Sequence, residues 1–151
     1  MDEKKSKIWT GAAAICLNDQ MEVLMVRARG SDQWAVPSGG TEPGESPEDC
    51  CIREMKEQTG YHVQIKQRLF VKKATVKAFQ MEISYYEAEV LGKRDEFLDL
   101  DGIIEEAEWK PILGIHELNL MYPEDVRYIV QLAAEKYPVV EQLKVKLLLN
   151  L

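Results

Sequence analysis

The fold is decided by three consecutive stretches, GGTEPGE at residues 39–45, SPEDCCI at 46–52 and REMKEQTGY at 53–61. Glycines in the first stretch let the backbone turn tightly and approach a ligand closely. Ser46 is a favourable N-cap, Pro47 suits the first helical position, and Gly60 supplies the left-handed residue that commonly closes a helix. The sequence therefore predicts a Gly-rich loop followed by a helix of roughly three and a half turns, with Ile52 and Met55 facing the core.

One face of this predicted helix is acidic. Glu54, Glu57 and Gln58 stand at positions i, i+3 and i+4, so their side chains rise from the same face. Carboxylates this close raise each other's pKa unless a cation lies between them. Oxygen ligands on a rigid frame suit Mg²⁺ or Mn²⁺, whose remaining positions are filled by water and phosphate oxygens. The pattern predicts a metal site suited to cleaving a pyrophosphate bond.

Two further charged residues lie beside this face. Glu45 adds a carboxylate at the positive end of the helix, and Arg53 lies one turn before Glu57, so it can pair with either carboxylate. We expect the catalytic residues to be Glu45, Arg53, Glu54 and Glu57. Substrate is expected to contact the backbone at Gly39 and Gly40.

The whole stretch resembles the Nudix box, Gly-x5-Glu-x7-Arg-Glu-U-x-Glu-Glu-x-Gly-U, in which U is a bulky apolar residue. The matching positions are Gly39, Glu45, Arg53, Glu54, Met55, Glu57, Gly60 and Tyr61. The resemblance extends upstream through residues 34–40 and, with the flanking strands, covers most of the chain. It implies an α/β fold, an α/β/α sandwich with a mixed central sheet and one catalytic loop-helix motif. It also implies hydrolysis, by metal-activated water, of a nucleoside di- or triphosphate or of a nucleoside diphosphate linked to another group.

The chain departs from the family pattern at two positions. Tyr61 replaces an aliphatic residue, and Gln58 replaces the second glutamate of the Glu-Glu pair, which in the family is usually a metal ligand. An amide oxygen can ligate a metal but brings no charge. Gln58 is therefore expected to join Glu54 and Glu57 as a weaker ligand. The alternative is a Nudix-fold module that binds or senses a nucleotide with little or no catalysis.

A second acidic segment, at residues 105–108, offers a further candidate metal ligand. Proteins of the family often have another glutamate in the region of Glu105, Glu106 and Glu108, acting as a metal ligand or a base. Strand alternation places Glu106 and Glu108 on one face. We predict Glu108, which precedes Trp109, as the ligand, while Glu105 and Glu106 remain alternatives. Arg27, at the end of a predicted strand, is expected to contact substrate phosphate.

Composition limits the class of protein. The chain has 151 residues, 46% of them apolar, which suits one domain over residues 1–151. A net charge of −7 argues against a nucleic-acid polymer as partner and is compatible with a single small-molecule nucleotide. The cysteines, at 16, 50 and 51, have no zinc-finger spacing and are expected to be reduced. No apolar run is long enough to span a membrane and no signal-type segment opens the chain, so we expect a cytoplasmic location.

The remaining elements follow from apolar periodicity. Alternating or continuous apolar residues predict strands at 8–17, 22–27, 61–72, 79–90 and 104–110, of which the first two are expected to form one hairpin and the next two a long antiparallel pair. Pro123 begins a predicted helix that ends before Pro138. The apolar tail at 139–151 is expected to pack on its own domain or to form a contact in a homodimer.

Overall fold

The computed structural model describes residues 7–96 and 102–149. Seven strands, three helices and two short 3₁₀ turns follow one another along this part of the chain. The strands are β1 (Lys7–Cys16), β2 (Glu22–Ala28), β3 (Trp34–Ala35), β4 (Ser38–Gly40), β5 (His62–Val76), β6 (Phe79–Leu91) and β7 (Ile104–Pro111). The helices are α1 (Pro47–Thr59), α2 (Val126–Lys136) and α3 (Pro138–Leu149), and the 3₁₀ turns are Ile112–Glu117 and Pro123–Asp125.

The strands form two sheets. The larger has the order β4-β1-β6-β5, with β1 parallel to β6 and the other neighbours antiparallel. The smaller has the order β3-β2-β7 and is entirely antiparallel. The predicted α/β fold with a mixed sheet and flanking helices is therefore confirmed, as is the antiparallel pairing of β5 with β6.

The predicted hairpin of β1 with β2 is wrong in its pairing. Both strands exist, but they belong to different sheets and meet only at one bridge, between Leu17 and Val23. The reason is that β4 and β6 occupy both edges of β1, which leaves β2 no edge to pair with.

The two faces of β1 pack against different helices. Ala13 and Ile15 lie in the core shared with α2, whereas Ala12, Ala14 and Cys16 lie in the core shared with α1. Burial on both faces explains why β1 is a nearly continuous apolar run. All three cysteines are free and buried.

The tail forms helix α3, which lies against α2. Val140 and Leu147 are buried in the same core as Ile129 and Val130. Val145 is 70% exposed, and residues 150 and 151 of the predicted tail lie outside the described residues. No helix in the described ranges is long and apolar enough to cross a membrane.

Candidate active site

Helix α1 begins and ends as its capping residues predict. The Ser46 hydroxyl accepts the Asp49 N–H at 3.1 Å, and Gly60, at φ 79°, donates its N–H to the Lys56 carbonyl at 3.0 Å. Met55 is fully buried beneath the helix, but Ile52 is 37% exposed, so its predicted inward orientation is wrong. The buried face is formed instead by Cys50, Cys51, Met55 and Thr59. The opposite face presents the charged residues of the site.

Arg53 joins the loop to the helix. Its Nε and Nη2 donate to the two oxygens of Glu45 at 2.8 and 2.9 Å, and Nη2 also donates to the Gly40 carbonyl at 2.9 Å. Its Nη1 donates to Glu54 Oε1 at 2.9 Å and to Glu57 Oε2 at 3.1 Å. The structure therefore brings the four predicted catalytic residues together around one guanidinium.

This arrangement favours the ionised form of Glu45. The hydrogen bonds from Arg53, followed by the backbone N–H of Glu42, lower the pKa of the Glu45 carboxyl to about 2. A carboxylate with so low a pKa is a poor proton acceptor near neutral pH. Glu45 thus acts through Arg53, because the two oxygens of Glu45 fix the orientation of the guanidinium.

Glu54 lies closest to the Gly-rich loop. A Cβ atom placed on Gly39 would lie 2.2 Å from Glu54 Cδ, so only glycine leaves room for the carboxyl group. Burial raises the pKa of Glu54 above its usual value, although the Arg53 charge opposes the shift. Of the acidic pair on α1, Glu57 is the more open to solvent, with 44% of its side chain exposed against 14% for Glu54.

Gln58 uses its amide nitrogen within the site. Nε2 donates to the Ser38 carbonyl at 2.7 Å and to Glu54 Oε2 at 2.8 Å. Its Oε1 is buried and has no hydrogen-bond partner among the described residues. The side chain predicted as a weak metal ligand is therefore, in this structure, a donor to a neighbouring carboxylate.

A cavity of about 320 Å³ opens beside this acidic face. Its polar lining residues are Gln33, Ser38, Gly39, Gly40, Glu54, Glu57 and Gln58. Its apolar lining residues, here called the apolar wall, are Val26, Ala28, Ala35, Val36, Ile103, Ile104, Met121 and Tyr122. Among the described residues that line the cavity, the charged ones are Glu54 and Glu57, and none is a lysine or an arginine.

The structure does not bring Glu108 to this cluster. Glu108 lies opposite Met25 in the β2–β7 register, and Met25 belongs to the core shared with α2. The neighbouring pair, Leu24 with Trp109, lies on the side of α1 instead. Lys110 donates to Glu108 Oε2 at 2.8 Å and thereby lowers the pKa of that carboxyl.

Arg27 is likewise engaged away from the cavity. Its Nη1 donates to the Ser31 carbonyl at 2.8 Å and to Glu105 at 3.1 Å, and its Nη2 pairs with Glu106 at 2.9 Å. The two glutamates kept as alternatives to Glu108 are thus the ion-pair partners of Arg27. Neither Arg27 nor any of the three glutamates of β7 lines the cavity.

The carboxylates of the acidic face are candidate ligands for a divalent metal. No group of three or more His, Cys, Asp or Glu side chains within residues 7–96 and 102–149 is arranged to hold a metal ion. The oxygen donors of the acidic face are nevertheless of the right kind, because Mg²⁺ commonly binds through one or two carboxylates and completes its shell with water and phosphate. Glu54 and Glu57 therefore fit such an ion as part of a set that substrate completes.

Sequence reasoning missed the apolar wall of the cavity. Ile103, Met121 and Tyr122 come from loops that carry no motif, and Val26 and Ala28 read as ordinary strand residues. Trp34 is not among the residues that line the cavity. It pairs with Arg27 of β2, and the Lys110 ammonium lies 3.9 Å from the centroid of its ring. Which residues line the cavity therefore depends on how separate loops of the chain pack together, and this cannot be predicted from local sequence.

The fold and the site together define a class of protein. A mixed sheet, a Gly-rich loop and a helix with an Arg-centred acidic face form an α/β protein with an oxygen-rich, metal-compatible cavity. Residues 7–133 match the family model described as NUDIX domain. The chain belongs to the Nudix family.

Curated relatives match over part of the chain. The chain is 36% identical over 61 residues to a putative 8-oxo-dGTP diphosphatase of Bacillus subtilis (strain 168), covering 40% of this chain and 41% of that protein. It is 46% identical over 46 residues to an RNA pyrophosphohydrolase of Hahella chejuensis, covering 30% of this chain and 29% of that protein. The matched segments thus span less than half the length of these relatives.

Solved structures match over most of the chain. A NUDIX hydrolase from Nitrosomonas europaea superposes with a TM-score of 0.70 at 25% identity, over 83% of this chain and 87% of that one. A UDP-X diphosphatase superposes with a TM-score of 0.69 at 21% identity, over 91% of this chain and 64% of that one. The second likeness, at this identity, supports the fold alone.

Proposed function

We propose that this protein is a metal-dependent Nudix hydrolase that cleaves a pyrophosphate bond in a nucleoside di- or triphosphate, or in a nucleoside diphosphate linked to another group. The observation that carries this proposal is the charge of the cavity, whose charged lining residues in the described part of the chain are Glu54 and Glu57. A phosphate chain is repelled by carboxylates unless a cation lies between them. The site therefore suits phosphate only together with a metal.

The bound metal, Mg²⁺ or Mn²⁺, would neutralise phosphate charge and make a water molecule more acidic. Arg53 fixes the carboxylates of Glu54 and Glu57 through one oxygen of each. Glu57 Oε1 accepts no hydrogen bond from the described residues and is the oxygen best placed to accept a proton or a ligand. Glu54, by contrast, already accepts a hydrogen bond from Arg53 on one oxygen and from Gln58 on the other.

The apolar wall suits the nucleoside part of a substrate. Tyr122 and Met121 are partly exposed at the cavity and offer a flat ring and a polarisable thioether to a base. Gly39 and Gly40 contribute backbone without side chains to the polar part of the lining, beside Glu54. A substrate would therefore lie with its phosphates at α1 and its base toward residues 121 and 122.

The diphosphatase and pyrophosphohydrolase names of the relatives support the same class of reaction. They also suggest the compounds to test. A panel of nucleoside triphosphates including 8-oxo-dGTP, nucleoside diphosphates, nucleoside diphosphate sugars and a short 5′-triphosphate RNA covers the candidates. Release of phosphate or pyrophosphate is measured with Mg²⁺, with Mn²⁺ and with EDTA.

We expect turnover of at least one compound with metal, none with EDTA, and a fall in kcat of about 100-fold or more in Glu57→Gln. The matched control is Glu141→Gln, an exposed glutamate on α3. The proposal is overturned if no compound is cleaved, or if Glu57→Gln and Glu141→Gln behave alike.

A nucleotide-binding module without catalysis remains the second candidate. The observation that favours it is that Gln58 directs its nitrogen, and not an oxygen, at the Glu54 carboxylate. Such a module would be stabilised against heat by one compound of the panel and would release no product from it. Stabilisation together with turnover would exclude it.

A further inference from the structure

The amide of Gln58 lies between two groups that only accept hydrogen bonds. The Ser38 carbonyl lies 2.7 Å and Glu54 Oε2 lies 2.8 Å from the same nitrogen. Since neither atom can donate, the nitrogen and not the oxygen must face them. This orientation leaves Oε1 buried without a partner among the described residues, which is unfavourable. The two bonds of the nitrogen must therefore outweigh the unpaired oxygen.

These bonds join three parts of the site. Ser38 begins β4, and Glu54 and Gln58 lie one turn apart on α1. The Glu54 carboxylate also lies under Gly39 and receives Arg53 Nη1 on its other oxygen. Both oxygens of Glu54 thus have a donor supplied by the protein, and the carboxylate is fixed at the junction of α1 with β4.

A carboxylate at position 58 could not make this junction alone. Its oxygens would meet the Ser38 carbonyl and the Glu54 carboxylate at the distances now spanned by an N–H, and the like charges would repel. A cation between them, or a proton taken up at the cost of a raised pKa, would be needed to restore the attraction. A neutral amide removes the repulsion and supplies the two donors at once.

We infer that Gln58 is a positioning residue that substitutes for a cation at the junction of α1 with β4, so that Glu54 is held in place before any metal binds. The inference rests on the proposed function only in that Glu54 belongs to the proposed site. Its consequence is that the stability of this protein is nearly independent of divalent metal, and that Gln58→Glu makes stability depend on it.

The test is thermal unfolding of the full chain in EDTA and in millimolar Mg²⁺, without substrate. Wild type is compared with Gln58→Glu and with Gln131→Glu, which makes the same charge change at an exposed position on helix α2. We expect the Tm of wild type and of Gln131→Glu to differ little between the two buffers. The Tm of Gln58→Glu should fall by about 3–8 °C in EDTA and recover with Mg²⁺.

A third variant separates the lost donor from the added charge. Gln58→Leu loses the N–H donor without adding a charge. Its Tm should therefore fall in both buffers, and Mg²⁺ should not restore it. The inference is overturned if Gln58→Glu is as stable as wild type in EDTA, if Mg²⁺ fails to raise its Tm, or if wild type depends on Mg²⁺ to the same extent. Because the readout is stability, an inactive wild type would contradict the proposed function and leave this result unaffected.

Discussion

Arg53 donates to oxygen atoms of four different residues, and this sharing is what assembles the site. Glu45, Gly40, Glu54 and Glu57 all accept from one guanidinium, whose donors are fixed in a plane. A lysine would present a single ammonium and could not reach the loop and both α1 carboxylates in the same way. The spacing in the sequence predicted Glu45 and Glu57 as partners of Arg53, whereas the contacts with Glu54 and with the Gly40 carbonyl were not predicted.

Gly39 is a residue whose replacement has a clear expected effect. In Gly39→Ala, the added Cβ would lie 2.2 Å from Glu54 Cδ, so the carboxylate must move away from its position under the loop. We expect kcat to fall by about 10–100-fold, the range seen when a group that orients a site residue is lost. Steady-state kinetics on the best compound of the panel measure this.

Gly114→Ala is the matched control, since its Cβ would meet its nearest atom at 3.6 Å. Equal kinetics in Gly39→Ala and wild type would show that Glu54 does not depend on this close approach.

Glu45 gives a prediction about pH. Its pKa is lowered from 4.5 to about 2 in the folded protein, chiefly by the hydrogen bonds from Arg53. A lowered folded pKa means that its contribution to stability is full above about pH 4.5 and is lost as the pH falls toward 2. Glu45→Gln should therefore unfold at lower urea than wild type near neutral pH, and the difference should shrink on acidification.

Urea midpoints at about pH 6, 5, 4 and 3 would follow this difference. Glu141→Gln, which is exposed and far along the chain on α3, should show no such trend. A constant gap between Glu45→Gln and wild type over the whole range would contradict the assignment.

Helix α1 depends on its first turn as well as on its buried face. The Ser46 hydroxyl accepts an N–H that would otherwise have no partner in the helix. Ser46→Ala should lower the free energy of unfolding by about 0.5–2 kcal/mol, and Ser46→Asp should retain most of it. Urea denaturation measures both, and an alanine variant as stable as wild type would show that the cap contributes nothing here.

Elements were predictable where the signal is local. Caps and a proline define α1 within its own sequence, so its ends agree with the structure. The pairing of β1 was not predictable in the same way, because it depends on β4 and β6 occupying its edges. Ile52 shows the same limit on a smaller scale, since the helical period places it near the core but the sheet covers Cys50 and Cys51 instead.

At the scale of the whole molecule, one buried ion pair ties β5 to the start of α2. Lys72 donates to Asp125 Oδ1 at 2.7 Å and Tyr85 donates to Oδ2 at 2.9 Å, while Asp125 is only 4% exposed. Removing the cation alone leaves an uncompensated charge in the core. We expect Lys72→Ala to lower the free energy of unfolding by about 3–5 kcal/mol.

An ion pair on the surface serves as the comparison for the buried pair. Lys66 and Glu89 lie 3.1 Å apart with about half of each side chain exposed, at 48% and 47%. Lys66→Ala should change stability by about 1 kcal/mol or less. The double variant Lys72→Met with Asp125→Leu should recover only part of the loss, since it removes both charges but leaves the buried Tyr85 hydroxyl without its acceptor. Equal effects of Lys72→Ala and Lys66→Ala in urea denaturation would contradict the importance of the buried pair.

The candidate site was predictable only in part, for a geometric reason. The residues of the acidic face of α1 all lie in one short segment, and in the structure Glu54 and Glu57 come together at Arg53 as expected. Glu108 and Arg27 depend on which face of the β2–β7 pair is turned to α1, and alternation alone gives two faces without saying which. The apolar wall depends further on loops at residues 103 and 121–122.

The buried cysteines have a practical consequence. Burial raises the pKa of Cys50 to about 11 and of Cys16 and Cys51 to about 12, so each is a neutral thiol in the folded protein. The thiolate, and not the thiol, attacks alkylating reagents, and these sulfurs lie in the core shared by α1 and the sheet. The rate of alkylation therefore reports how often the helix separates from the sheet. Alkylation of the native cysteines therefore measures the separation of α1 from the sheet without an added dye or tag.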